Sequence, residues 1–188
     1  MDEQKKATKR VGRKIPQALS EGEVKKLFDT IRVYGGFRDL LFVELLYYLG
    51  LRVSEALKLT KKQIDTQNFV FAFIKGKGDT FAPVTIPNAL KKELKTYIEL
   101  LKEDNLFDFK RENAWHLIKK YCKKAGLPSW VSPHTFRHTH ASVMLNKGAN
   151  LALVKKSLRH TDITITQIYT HIPTDKEKEE IDKIFTRL

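Results

Sequence analysis

The sequence has a single cysteine, Cys122. No disulfide can form within the chain, and no zinc finger built on two or more thiolates fits. Glycine and proline are sparse, 9 and 6 of 188 residues, which excludes collagen-like and low-complexity classes. Long apolar runs are missing too. The stretch from Leu40 to Gly50 is broken by Glu44 and falls far short of the roughly 20 residues of a membrane span. Residues 1–14 are charged and lack an apolar centre, so no secretory signal is expected there. Acidic residues are in deficit, 22 Asp and Glu against 35 Lys and Arg, for a net charge of +13. That surplus calls for a polyanionic partner, nucleic acid before an anionic membrane surface. The lone thiol fits a reducing, cytoplasmic setting.

What is present reads as one domain with tails. A hydrophobic content of 41% over 188 residues is enough to bury a core. Residues 1–15 form a basic arm or linker remnant carrying Lys5, Lys6, Lys9, Arg10, Arg13 and Lys14. Ser20 followed by Glu23 has capping-box spacing, and Val24, Leu27, Phe28 and Ile31 continue at helical intervals. A second helix, from about Arg38 to Tyr48, is apolar nearly all round and should be buried. After Gly50 a short helix opens, with Ser54 as its expected cap, and Thr60 to Asp65 reads as another helical turn. The period changes at Phe69 to Ile74 and Phe81 to Ile86, two β-rich runs flanking Lys75-Gly76-Lys77-Gly78-Asp79. They predict a hairpin with a cationic tip. Further helices are expected from Pro87 to about Lys102, over 112–125, 134–147, 151–158 and 163–169, and from Thr174 through Ile184. The fold class is mostly α with a small antiparallel β-sheet or hairpin.

Four separated places carry unusual chemistry: Arg52 with Glu55 after a buried helix; Lys77 at the hairpin tip; His134 with Arg137 after Pro133; and His160 ahead of Tyr169. Each has a plainer reading. An arginine near a helix end caps carbonyls or pairs with an acid, Gly-Lys-Gly is a turn, and a tyrosine at helical spacing from Ile165 and Ile168 packs in a core. His134 and His138 share one helix face, as a zinc pair requires, but Thr135 stands where the protease pattern needs Glu. His140, His160 or His171 could add a ligand, yet no spacing demands one, and no metal or other cofactor is expected.

Taken in order, Gly50-Leu51-Arg52-Val53-Ser54-Glu55, Lys77, His134 with Arg137, His160 and Tyr169-Thr170-His171 resemble the motifs of the tyrosine recombinases, or phage-type integrases, and in particular their Xer-like branch. The resemblance covers residues 16–173, the expected catalytic domain. It implies metal- and ATP-independent cutting and rejoining of double-stranded DNA through a 3′-phosphotyrosine. Tyr169 would be the nucleophile. Arg52 and Arg137 would grip non-bridging oxygens, which guanidinium geometry suits, and His160 would donate to the same oxygens. His134 would accept the phenolic proton, Lys77 would protonate the leaving 5′-oxygen, and Glu55 would orient the arginines. Lys75, Arg159 and His138 are expected DNA contacts. The family pattern has Gly where this chain has Arg159; a glycine there suits a backbone twist, and arginine adds a cation within reach of a phosphate.

Members of that family carry an N-terminal helical domain that closes around DNA, and Met1 falls where the linker to it would lie. The expectation is a catalytic domain apart from its clamp, or a short member. A tetramer on two duplexes is implied, with residues 174–188 docking in trans. The alternatives are a type IB topoisomerase, which relaxes DNA by the same intermediate, and a non-catalytic DNA-binding module keeping the fold.

Overall fold

The computed structural model describes residues 17–65, 70–75, 81–159 and 175–188. Its first helix, α1 (Glu21–Tyr34), begins as the sequence predicts. The Glu23 amide donates to Ser20 Oγ at 3.2 Å, and the Ser20 amide donates to Glu23 Oε2 at 2.8 Å, closing the capping box. Such a cap is worth about 1 kcal/mol. Val24, Leu27, Phe28 and Ile31 form the buried stripe. The next helix, α2 (Phe37–Tyr48), is buried from Leu40 onward and packs against α1, α4 (Asn88–Leu100) and α6 (Pro133–Asn146). Burial on all sides explains why its sequence shows no polar face.

The chain then turns through Gly50 into α3 (Val53–Ala56). Residues 61–63 form a 3-10 turn rather than the expected helix, and Ile64–Asp65 add a strand, β1. The sheet is therefore three-stranded and antiparallel in the order β1-β2-β3, with β2 at Val70–Lys75 and β3 at Phe81–Thr85. Ile64 pairs with Phe71, Phe71 with Val84, and Lys75 with Phe81, with a register shift between Phe71 and Ile74. A two-residue strand leaves no periodicity to read; pairing to β2 alone defines it.

α5 (Arg111–Lys124), α6 and α7 (Leu151–Ser157) complete the domain, and α8 (Asp175–Ile184) follows. No helix among the described residues is long and apolar enough to cross a membrane. Residues 1–15, the helix expected over 163–169 and the Thr174 cap lie outside the described residues.

The last helix and the residue after it seat Ile181, Ile184 and Phe185 in the chain's own core. Phe185 stacks on His140, centroids 4.7 Å apart, and meets Tyr47 and Tyr48 edge-on. Polar ties hold the rest. Asp182 accepts from the Asn88 amide and Nδ2, both at 2.6 Å, and Arg187 Nη1 lies 3.0 Å from Glu93.

Candidate active site

The site is built where α2, α3, α6 and α7 end or begin together. Gly50 sets the geometry. Its φ is +57°, and a Cβ there would lie 2.8 Å from His140 Cδ2, so glycine meets both a conformational and a steric demand. The left-handed turn places the Gly50 carbonyl where two arginines reach it. Arg137 Nη1 donates to it at 2.7 Å and Arg159 Nη2 at 3.2 Å. Arg137 also donates through Nη2 to the Leu158 carbonyl.

Glu55 is the hub on the other side. Its Oε2 accepts from the Arg52 amide at 2.8 Å, its Oε1 from Arg52 Nη1 at 2.7 Å, and its Oε2 again from Arg159 Nη2 at 2.8 Å. Two expectations are corrected here. Arg52, not Ser54, is the residue preceding α3, and Glu55 closes the cap from inside the helix. Glu55 orients Arg52 and Arg159, not Arg52 and Arg137.

Arg159 is the larger correction. Its side chain is only 3% exposed, so it does not present a cation to a DNA phosphate. It also donates from Nη1 to Ser157 O at 2.8 Å and Leu49 O at 3.4 Å. Its φ of +53° makes it the one non-glycine residue in the left-handed region among those described, at a cost of roughly 1 kcal/mol. The local twist is thus kept without glycine, and charge-assisted bonds of about 1.5–3 kcal/mol each offset the strain.

The electrostatics follow from burial. Burial pushes the Glu55 carboxyl up, but the Arg159 charge and the Arg52 bonds outweigh it, so its pKa falls below the ordinary range. Burial lowers Arg137 to about 10, helped by the Arg159 and Arg52 charges; the guanidinium still carries its charge at neutral pH. Three cations around one carboxylate leave the corner short of negative charge, an arrangement suited to receiving an anion.

A cleft of about 410 Å³ opens beside this corner, lined by Arg52, Val53, Ser54, Arg111, Trp115, Ser132, Pro133 and His134. It brings together Arg52 and His134, which are far apart in sequence. The starts of α5 and α6 border it, so their N-terminal dipoles favour an anion there. His134 and His138 sit one turn apart on the exposed side of α6. Burial, then the nearby His134 and Arg137 charges, hold His138 below its usual pKa. Lys75 ends β2. Lys77, His160 and Tyr169 lie outside the described residues. Among the described residues no three His, Cys, Asp or Glu side chains group as metal ligands.

Sequence reasoning missed Arg111 and Trp115. The signal was available: Trp115 stands in a polar helix one turn before Lys119, whose Nζ lies 5.3 Å from the ring centroid. Lys119 also donates to the Ser129 and Val131 carbonyls at 2.5 and 2.6 Å, pinning the loop that delivers α6. His140 was seen only as a possible ligand. It is buried, with Nδ1 2.9 Å from the Tyr47 carbonyl and Nε2 2.7 Å from Ser157 Oγ. A carbonyl only accepts, so Nδ1 carries the proton and Ser157 donates to Nε2.

A mostly helical domain with a three-stranded antiparallel sheet thus holds a buried arginine cluster beside a cleft suited to an anion. The chain belongs to the phage integrase family, whose model matches residues 17–176. It is 35% identical to tyrosine recombinase XerD of Staphylococcus saprophyticus over 196 residues, covering 95% of this chain and 64% of that protein. Its likeness to XerD of Staphylococcus aureus is also 35%, over 93% of this chain and 63% of the relative. The chain thus spans slightly under two thirds of the length of these relatives. Among solved structures, XerA recombinase superposes with a TM-score of 0.71 at 30% identity, over 92% of this chain and 66% of that one. The integrase of mycobacterium phage Brujita has the same fold, with a TM-score of 0.77 at 23% identity over 94% and 61%.

Proposed function

We propose that this chain is the catalytic part of a site-specific DNA recombinase that cuts and rejoins double-stranded DNA through a 3′-phosphotyrosine. One observation carries the reading. Arg52 and His134 line a single cleft, and Arg137 is locked to the Gly50 carbonyl two residues before Arg52. The family motifs need these groups in one place to act on one phosphate.

In this mechanism the Tyr169 phenolic oxygen attacks phosphorus as the P–O5′ bond breaks. The phenolic proton passes to His134, and the Lys77 ammonium gives a proton to the departing 5′-oxygen. Arg52 and Arg137, with His160, neutralise the charge that builds on the non-bridging oxygens. Fixed cations act without reorganising, and losing one such donor costs roughly 2.7–4 kcal/mol, or about 10²–10³ in rate. Attack by a free 5′-hydroxyl on the phosphotyrosine reverses each step, so rejoining needs no ATP. The XerH site-specific recombinase, solved bound to difH substrate and 25% identical at a TM-score of 0.69, supports a recombination site as the substrate.

Residues 16–173 form the catalytic domain in this reading, residues 1–15 a basic arm tracking phosphates, and Lys75 and His138 contact DNA. The protein works in the cytoplasm, on DNA. Recombination joins four copies on two duplexes. Because α8 is seated in its own core, docking it on a neighbour would first require Ile181, Ile184 and Phe185 to leave.

The test is covalent capture. The 188-residue chain is incubated with a library of nicked duplexes of randomised sequence, and DNA that stays attached in detergent is recovered. The expected result is an adduct at Tyr169 by peptide mapping, absent from Tyr169→Phe. An adduct that persists in Tyr169→Phe overturns the reading, as does no adduct from the unaltered chain.

A further inference from the structure

We infer that Arg159 is a positioning residue: its buried guanidinium ties the Glu55 carboxylate to the Gly50 carbonyl and so fixes Arg52 and Arg137 as one rigid pair. The inference rests on the recombinase reading for what that pair does, but its geometry stands apart from it.

Each link is direct. Arg159 Nη2 bridges Glu55 Oε2 at 2.8 Å and the Gly50 carbonyl at 3.2 Å. Glu55 grips Arg52 twice, at the side chain and at the amide. The Gly50 carbonyl is also the 2.7 Å acceptor of Arg137, and the other Arg137 acceptor, Leu158 O, belongs to the residue before Arg159. One side chain therefore touches the supports of both arginines while staying out of the cleft, whose lining does not include it. The backbone accepts a left-handed conformation that favours glycine in order to place that side chain inside. A solvated surface arginine gains nothing from such strain.

A lysine at this position keeps the charge but cannot serve two acceptors with a planar fork. A glycine relaxes the backbone and removes the bridge. Misplacing a phosphate-gripping group by about 1 Å costs up to roughly 10²-fold in rate. The rate of the chemical step should therefore fall while DNA affinity, which depends on exposed cations, should not.

The experiment compares Arg159→Lys and Arg159→Gly with the unaltered chain on a duplex recovered by covalent capture. Single-turnover cleavage should drop about 10- to 100-fold in Arg159→Gly and by less in Arg159→Lys, with the dissociation constant of the same duplex within about twofold. Cleavage at the unaltered rate in Arg159→Gly overturns the inference. So does a loss of affinity in step with the loss of rate, which would make Arg159 a DNA contact. If Arg159→Gly does not fold, Arg159→Lys is judged by the same two outcomes.

A second readout needs no DNA. The Arg52 side-chain N–H resonances in isotope-labelled protein should show a held guanidinium in the unaltered chain and a freely rotating one in the folded variants. Unchanged Arg52 resonances overturn the inference even if the chain proves to cut no DNA. Failure of cleavage by the unaltered chain, with altered Arg52 resonances in the variants, sinks the recombinase reading alone.

Discussion

Glu44 and Glu55 are both buried carboxylates, each in ion-pair contact with two arginines, yet the protein treats them in opposite ways. Glu55 is bonded at both oxygens, and its pKa lies below the ordinary carboxylate range. Glu44 is fully buried, with Arg187 at 3.2 Å and Arg32 at 3.6 Å, but neither oxygen has hydrogen-bond geometry with any partner among the described residues. Burial drives it up to about 7, against the pull of Arg187 and then Arg32. Arg52 and Arg159 each donate a hydrogen bond to Glu55 itself. Arg32, on α1, donates instead to Asp29 and the Leu188 carbonyl, and Arg187, on the C-terminal tail, donates to the Ala89 carbonyl and pairs with Glu93. Proximity of charge does not stabilise a buried carboxylate; directed hydrogen bonds do. The arginine corner is preorganised, whereas the tail contact is only approximate.

The sharpest break in this contrast is Glu55→Ala. It leaves the Arg159 guanidinium buried without a counter-ion and should cost roughly 3–5 kcal/mol of stability. Urea unfolding at pH 7 measures it, and a loss under about 1 kcal/mol would place Glu55 with Glu44 as a loosely held group.

His140 touches both regions, through Gly50 and through Phe185. Burial holds its pKa down to about 3, with the Tyr47 carbonyl pulling the other way. A folded pKa below the unfolded value of about 6.5 means that the unfolded chain takes up the proton first. Its contribution is intact above pH 6.5 and is lost as pH falls toward 3, by up to about 5 kcal/mol in all. His140→Asn should remove that part of the acid slope in a series of unfolding curves; an unchanged slope would show that other groups carry it.

Glu44 has the reverse sign. Its folded pKa lies above the unfolded value, so its contribution is full below about pH 4.5 and is lost as pH rises through 7, by about 1–3 kcal/mol. Glu44→Gln should flatten stability between pH 5 and 8 and leave the variant the more stable at pH 8. If the variant is instead weaker at pH 8, the two carboxylates are alike and the contrast fails.

Local signals were legible in the sequence where local physics decides the outcome. Ser20 and Glu23 marked the start of α1, the β-branched and aromatic runs marked β2 and β3, and the apolar ring of α2 marked its burial. The motifs around Arg52, His134 and Arg137 pointed to side chains that the fold brings near one another: Arg52 and His134 line one cleft, and the left-handed turn at Gly50 presents its carbonyl to Arg137. The rest depends on long-range contacts. Arg159 reads as an exposed cation until Glu55, on α3, is placed against it. Glu44 reads as an interruption of an apolar run, since Arg32 and Arg187 belong to other elements. The apolar side of α8 was plain, but a stripe does not say which surface covers it; in the single chain Phe185 meets Tyr47, Tyr48 and His140.

In the proposed reaction Arg52 and Arg137 act on the negative charge of one phosphate. Cleavage of a captured duplex is measured beside that of the same duplex with a neutral methylphosphonate at the scissile position, using the unaltered chain, Arg52→Ala and Arg137→Ala. With charge neutralisation as the role, each variant should lose about 10²–10³ in rate on the phosphate and regain most of it relative to the unaltered chain on the neutral linkage. An equal deficit on both substrates would contradict the account.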